Sequence, residues 1–351
     1  MSSTLTPQLQ PLICSVCGQK SSLRCSKCLG ALYCGQECQK KDWKVHKVNC
    51  KLAEQTRKEL EFFGHRTVEE IDAEIELTKK LAEQGNPSAQ YNLGVAFFKG
   101  LGVRIDKREA CNWYRLAANQ GNKNAQFNLG QAYASGDGVS VDIVEAVKMW
   151  KLAALQGHKK AQNNIGIAFS NGIGGISVDK VEGVKWYRLA AEQGYPEAQY
   201  NLGSSYFTGE GITTDTNEGF KWIQKAAIQD DPDAQVLLGQ FYADGIGTRI
   251  DKIQAFMWFQ RSAEKGNVQA QFNIGNAYYK GVGVSVNLAE SMKWWTLAAQ
   301  NGNAQAQFNV GNLYLSAEGV QFNKQEGFKW IKRSAENGDR QAIKAMEFFR
   351  E

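Results

Sequence analysis

The sequence predicts an all-α protein, an α-solenoid of helix-turn-helix repeats behind a small N-terminal segment that needs bound metal to fold. Three observations predict it. An alanine recurs eight times at intervals of 36 or 37 residues: Ala89, Ala125, Ala161, Ala198, Ala234, Ala270, Ala306 and Ala342. Between these alanines stands a repeated helix-start signal, Asp or Asn with Glu or Gln three residues on. Seven of the eight cysteines fall between Cys14 and Cys50.

The alanine series comes first because a fixed period defines the architecture before any single element does. In the unit from Ala89 to Gly121, Ala89, Leu93 and Phe97 lie at i, i+4 and i+8, one face of a helix. Ala125/Leu129/Tyr133, Ala161/Ile165/Phe169 and Ala198/Leu202/Tyr206 repeat that face. Gly100 is placed to end the helix, because glycine just past a helix terminus takes the left-handed conformation cheaply.

A second helix is expected from Asp106, the first of the pairs Asp106–Glu109, Asp142–Glu145, Asp179–Glu182, Asp215–Glu218, Asp251–Gln254, Asn287–Glu290 and Asn323–Glu326. In a capping box the first residue accepts from an exposed amide while the second reaches back, so both sides of the first turn are satisfied. Seven residues after each cap stands Trp113, Met149, Trp186, Trp222, Trp258, Trp294 or Trp330, followed by small residues such as Ala117/Ala118. Large anchors beside small gaps let helices interdigitate. One unit cannot bury its apolar face alone, so about seven units must stack.

The A-x-x-x-L-G helix, the G-x-G-V-x-x-D loop and the W-Y-x-x-A-A helix resemble the Sel1-like repeat family over residues 85–351. A tetratricopeptide array, the nearest competitor, has a period of 34 and lacks the G-x-G loop. Met149, Asp230 and Ala317 depart from the pattern, and the third loop, Asn171 to Val178, carries one extra residue. The ends read as capping units. Thr67 to Gln84 is expected to be a lone helix of the second type, with Leu77 in the Trp position. At the far end Ile343 and Arg350 stand where units have Gln and Phe or Tyr.

The cysteine segment reads Cys14-x2-Cys17-x7-Cys25-x2-Cys28-x5-Cys34-x3-Cys38-x7-His46-x3-Cys50. In a reducing compartment such clustering points to metal before disulfides. Closed tetrahedral zinc sites take four Cys or His each, so eight ligands provide for two structural Zn²⁺ ions. About 40 residues bury too little surface to fold unaided, and zinc supplies on the order of 10–16 kcal/mol in comparable peptides. Interleaved and consecutive arrangements both satisfy the spacing.

The run from Tyr33 to Cys50, with Gln39, Asp42 and Trp43, resembles the tail of the MYND-type zinc finger. That resemblance implies interleaving, with Cys14, Cys17, Cys34 and Cys38 on one zinc and Cys25, Cys28, His46 and Cys50 on the other. It further implies that Ser26, Gln39 and Trp43 contact a short Pro-rich peptide of the Pro-x-Leu-x-Pro kind. An aromatic face against proline rings, with Gln and Ser bonding exposed carbonyls, suits a polyproline ligand. The competing role for Trp43 and Gln39 is to fill the small core and cap a helix.

The expected organisation is a flexible N-terminus over 1–10, the finger over 11–50, a linker or helix over 51–66 and the repeat solenoid over 67–351. In 51–66, KLAEQTRKELEFFGHR, a helix is expected to leave the finger and break at Gly64. Gln90, Gln126, Gln162 and Gln199, with Asn92, Asn128, Asn164 and Asn201, recur beside the core alanines. Two roles suit them equally: an amide ladder along a groove, bonding an extended partner segment, or bonds across unit boundaries that set the register.

Other chemistry is disfavoured. Closed zinc sites leave no position to activate water. Cys111 fills an apolar packing slot, and His65 and His158 are expected in solvent without triad partners. The Gly-x-Gly loops follow helices and lack a Gly-Lys-Ser/Thr ending, which excludes a phosphate loop. Net charge is +5; residues 1–60 carry +6 and the remainder −1. Metal-bound thiolates reduce the N-terminal excess to about +3, a poor nucleic-acid footprint. With neither a membrane span nor a secretory leader in the sequence, cytoplasm or nucleus is expected. The expected function is a zinc-binding, non-enzymatic intracellular adaptor for other proteins. The alternatives are a RING-like ubiquitin-pathway component and, more remotely, a methyltransferase-associated protein, since some MYND fingers interrupt SET domains.

Overall fold

The computed structural model describes residues 68–348 except residue 319, together with two short strands, β1 (Leu23–Arg24) and β2 (Leu32–Tyr33). The strands pair antiparallel, Leu23 opposite Tyr33 and Arg24 opposite Leu32. The chain divides into two compact units, Met1–Gln156 and Gly157–Glu351.

In the first unit the described helices are α1 (Val68–Glu83), α2 (Pro87–Lys99), α3 (Lys107–Asn119), α4 (Lys123–Ser135) and α5 (Ile143–Leu155). The second unit holds α6 (Lys159–Asn171), α7 (Lys180–Glu192), α8 (Pro196–Thr208), α9 (Thr216–Ile228), α10 (Pro232–Asp244) and α11 (Lys252–Glu264). It continues with α12 (Val268–Lys280), α13 (Leu288–Gln300), α14 (Ala304–Ser316), α15 (Lys324–Glu336) and α16 (Arg340–Phe348). Within each unit every helix packs on the next in sequence, the antiparallel neighbours that short connections favour. We call the even-numbered helices A and the odd-numbered B. From α2 onward an A helix and the following B helix make one repeat.

The caps fall on the expected residues. The side chain of Asp106 accepts from the Glu109 amide at 2.9 Å, and Asp142, Asp179, Asp215, Asp251, Asn287 and Asn323 act alike. The reciprocal half of the capping box does not form. Glu145, Glu182, Glu218, Glu290 and Glu326 instead pair with Lys148, Lys185, Lys221, Lys293 and Lys329 three residues on. Each cap's own N–H donates to the preceding A helix; Asp106 N–H reaches Phe97 O at 2.9 Å and Asp142 N–H reaches Tyr133 O at 2.9 Å. A backbone carbonyl held by the loop displaces the glutamate, whose carboxylate is left to a nearby lysine.

The core differs from the expectation in one slot. The Trp113 slot is half-buried in every repeat but one, whereas the following residue is the anchor: Tyr114, Tyr187, Ile223, Phe259, Trp295 and Ile331 are buried, and only at Met149/Trp150 is the order reversed. Each faces a glycine of its A helix. A Cβ on Gly94 would stand 2.6 Å from the Tyr114 ring, and one on Gly239 would stand 2.7 Å from the Phe259 ring. The inter-helix distance is thus set by the absent side chain, and the Ala117/Ala118 pair on the same B helix is buried with it.

The second glycine of the G-x-G loop joins one repeat to the one before. Gly138 has φ +79°, and a Cβ there would run into the carbonyl oxygen of Lys107, in the first turn of the preceding B helix. At the end of α14 the left-handed position, glycine after α2, α4 and α12, is held by Ala317 at φ 59°. Left-handed backbone costs a side-chain-bearing residue about 1–2 kcal/mol.

Ala317→Gly is therefore expected to raise stability by about 0.5–1 kcal/mol, net of the glycine entropy cost. Gly138→Ala, which adds a backbone collision, is expected to lower it by about 2–4 kcal/mol. Denaturant unfolding of the two variants would check both signs.

Candidate functional site

The glutamines beside the core alanines are turned inward. In the first unit Gln90 is 4% exposed; its Nε2 donates to Ala82 O on the preceding B helix at 3.1 Å. Its Oε1 accepts from Gln120 Nε2, at the end of its own repeat's B helix, at 2.8 Å. Gln126 does the same with Ala118 O (3.1 Å) and Gln156 (2.8 Å). In the second unit Gln193 donates to Gln162, Gln199 bridges Ala191 O and Gln229, and Gln307 bridges Ala299 O and Asn337.

Each bridging amide spends its donor on the previous repeat and its acceptor on its own. Of the two expected roles this is the register role, and Gln90, Gln126, Gln162 and Gln199 are too buried to bond a partner's backbone. A buried amide is stable only when both ends are bonded, and here the stacking supplies both partners. The second member of the clamp, Gln120, Gln156, Gln193 and Gln229, was missed in the sequence, although its constant offset of 30 or 31 residues from the first is legible there.

Two clamps are incomplete. Lys265 stands where Gln229 stands one repeat earlier and bonds Asp230 Oδ1 at 2.6 Å, while Asn301 donates to Leu297 O at 3.0 Å. The buried Oε1 atoms of Gln235 and Gln271 thus lack a hydrogen bond among the described residues. Asp230 occupies a turn-glycine position with φ 69°, and its bond to Lys265 holds its carboxyl below the usual carboxylate range.

The asparagines remain accessible. Asn92 is exposed; Asn128, Asn164 and Asn201 are half-buried on the A helices. Asn201 Nδ2 donates to Asn163 Oδ1 at 2.9 Å, and Asn128 is hydrogen-bonded to the Tyr114 hydroxyl. In the second unit a surface depression of about 250 Å³ crosses α8, α10 and α12; Tyr200, Asp233, Val236, Leu237 and Asn273 line it. Asp231, at the cap of α10, is pushed up by burial and by the nearby Asp233 and Glu197 carboxylates.

Cys111 is buried, with Sγ donating to Asp137 O at 3.1 Å. Burial pushes its thiol up, away from the reactive thiolate. His158 is not simply solvated: it is half-buried, and its Nδ1 caps α6 by accepting from Ala161 N–H at 3.2 Å. No helix among the described residues is long and apolar enough to cross a membrane.

The expected zinc ligands Cys14, Cys17, Cys25, Cys28, Cys34, Cys38, His46 and Cys50 lie outside the described residues, as do Ser26, Gln39, Trp43 and His65. The donor set, seven thiols and one imidazole in four pairs, fits zinc. The described hairpin lies inside it, since Cys25 directly follows β1 and Cys34 directly follows β2.

Comparison with known proteins places both parts. The MYND finger family matches residues 14–50, and a MYND finger binds zinc. The Sel1 repeat family matches seven consecutive segments, 87–122, 123–158, 159–195, 196–231, 232–267, 268–303 and 304–339. Among curated proteins, Tudor domain-containing protein 1 of Mus musculus is 34% identical over 86 residues, 22% of this chain and 7% of that protein. SET domain-containing protein 14 of Caenorhabditis elegans is 41% identical over 73 residues, 21% of this chain and 16% of that protein. The chain thus spans only a small part of those proteins.

Among solved structures, c5321, a protective antigen of uropathogenic Escherichia coli, aligns with a TM-score of 0.69 at 35% identity. It covers 76% of this chain and 57% of its own. A Sel1 repeat protein of Oxalobacter formigenes aligns with a TM-score of 0.63 at 32% identity, over 81% of this chain and 82% of that one.

Gln199→Leu removes one clamp; Ala191 O keeps its bond from the Gly194 N–H and Gln229 Nε2 keeps its bond to Lys225 O. It is expected to cost about 0.5–1.5 kcal/mol with helicity retained. Denaturant unfolding followed by circular dichroism would measure it; no loss would assign the ladder another role.

Proposed function

We propose that this chain, which belongs to the Sel1 repeat family and carries a MYND finger before its repeats, is a non-catalytic adaptor that joins two protein partners. Both modules are typically interaction modules, and together they support a zinc-finger scaffold for protein–protein contacts. The finer reading concerns what each surface takes. The finger holds two structural zinc ions in interleaved sites, Cys14, Cys17, Cys34 and Cys38 on one and Cys25, Cys28, His46 and Cys50 on the other. Cys25 and Cys34 directly follow opposite strands of an antiparallel hairpin, which supports assigning them to different ions.

The finger reads a short Pro-rich motif through Ser26, Gln39 and Trp43. The unbroken Y-C-x3-C-Q-x2-D-W-x2-H-x3-C run from Tyr33 to Cys50 carries this reading. The A helices hold a second, extended segment through their accessible asparagines, Asn92, Asn128, Asn164 and Asn201. Joining two weak sites in one chain raises the effective concentration of the second partner to about the millimolar range. The surroundings of this work are cytoplasm or nucleus, where the thiols stay reduced for zinc.

Titration of the zinc-loaded chain with a labelled Pro-x-Leu-x-Pro peptide tests the finger. Saturable binding is expected in the wild type, with at least a tenfold loss (about 1.4 kcal/mol) in Trp43→Ala. Zinc analysis is expected to give two ions per chain in both. A full-affinity mutant would remove Trp43 from the site, and absence of binding to millimolar peptide would overturn the motif reading.

A further inference from the structure

The depression across α8, α10 and α12 lies where one A helix lacks a ring. The residue after the clamp glutamine is Tyr91, Phe127, Tyr200, Phe272 or Phe308 in five repeats and Asn163 in a sixth. In α10 it is Val236, half-buried at the depression. The next slot, an asparagine in the other six repeats, holds Leu237. Two adjacent substitutions thus take a ring and an amide from one helix, and a space of about 250 Å³ stands open there. Val236 and Leu237 supply an aliphatic floor, Tyr200 a ring from the neighbouring A helix, and the exposed Asp233 a carboxylate at the rim.

The charge at this place has one sign. Asp233 accepts from Asn267 Nδ2 at 2.9 Å, a neutral partner that leaves its charge uncompensated. Glu197, Asp231 and Asp233 have no ion-pair partner among the described residues, whereas Asp230, one residue before the cap, is paired with Lys265. Burial, and then Asp233 and Asp231, push the Tyr200 hydroxyl up; burial, and then Asp233 and Glu197, push the Asp231 carboxyl up. Carboxylates that make neighbouring groups hold their protons more tightly also attract any other cation that reaches the same place.

We propose that this depression takes a lysine or arginine side chain carried on an extended partner segment, an anchor that rests on the reading of the A helices as the seat of such a segment. The aliphatic stem of either residue covers Val236 and Leu237 while its charged head stays beside water. The head meets the Asp233 carboxylate and the face of the Tyr200 ring, an ion pair and a cation–π contact at one point. A purely apolar side chain gains the floor and leaves the carboxylate unanswered, and an acidic one is repelled. The neighbouring repeats, with Tyr200 and Phe272 in the Val236 slot, have a ring where the stem would lie, so the anchor belongs to this repeat.

Fluorescence anisotropy of the full, zinc-loaded chain with the labelled peptide Gly-Ser-Ala-Arg-Ala-Ser-Gly tests the proposal, beside analogues with norleucine or glutamate in place of arginine. The arginine peptide is expected to bind saturably and at least about tenfold more tightly than the norleucine peptide, with the glutamate peptide weaker still. Val236→Phe puts back the ring of the neighbouring repeats, and Asp233→Asn puts in the residue that α4 carries at Asn124, so both variants are expected to fold. Each is expected to weaken the arginine peptide at least about fivefold. Equal affinity for the arginine and norleucine peptides, or arginine binding unchanged in both variants, would overturn the anchor and leave the extended segment standing. Absence of arginine binding at millimolar peptide would overturn it too. Displacement of the peptide by N-acetyl-arginine amide at equal concentration would keep the cation site and remove the extended segment.

Discussion

The interaction on which the fold depends is the close approach of the two helices of a repeat, allowed because one of them carries glycine at the crossing. Gly94 and its equivalents present bare backbone to Tyr114 and its equivalents, with no space for a methyl group between them. The large ring therefore packs against a helix backbone and the small residues beside it are buried too. A repeat closed in this way offers its remaining apolar face only to its neighbours, which is why stacking, and not the isolated repeat, is the stable unit.

Stacking creates a second demand. Helix ends and amides near the boundary leave water and must find bonds there. The glutamine clamp answers it with one side chain that donates to one repeat and accepts from another, so that a slipped register would strand both ends. The buried glutamines are here structural, and the amides the clamp leaves accessible are the asparagines, beside the depression at Tyr200, Asp233 and Leu237.

The same economy governs the ends. Leu77 and Leu81 of α1 are exposed, whereas Ala117, Ala153, Ala190, Ala226 and Ala298 in the Leu81 slot of the later B helices are buried.

The sequence by itself determined the period, the helix starts and stops and the seven repeats, because these rest on local rules: capping chemistry and glycine backbone. It could not decide the role of Gln90 and its fellows, since a glutamine in a groove and one across a boundary have the same spacing. Nor could it tell that Tyr114 rather than Trp113 is the buried anchor. Adjacent residues on a helix differ by about 100° in direction, and only the neighbour's position selects one. The reciprocal capping bond failed for a like reason, because the carbonyls of Phe97 and Tyr133 reach the cap first. Local chemistry proposed the partners, and the tertiary stacking chose among them by bringing competitors within bonding distance.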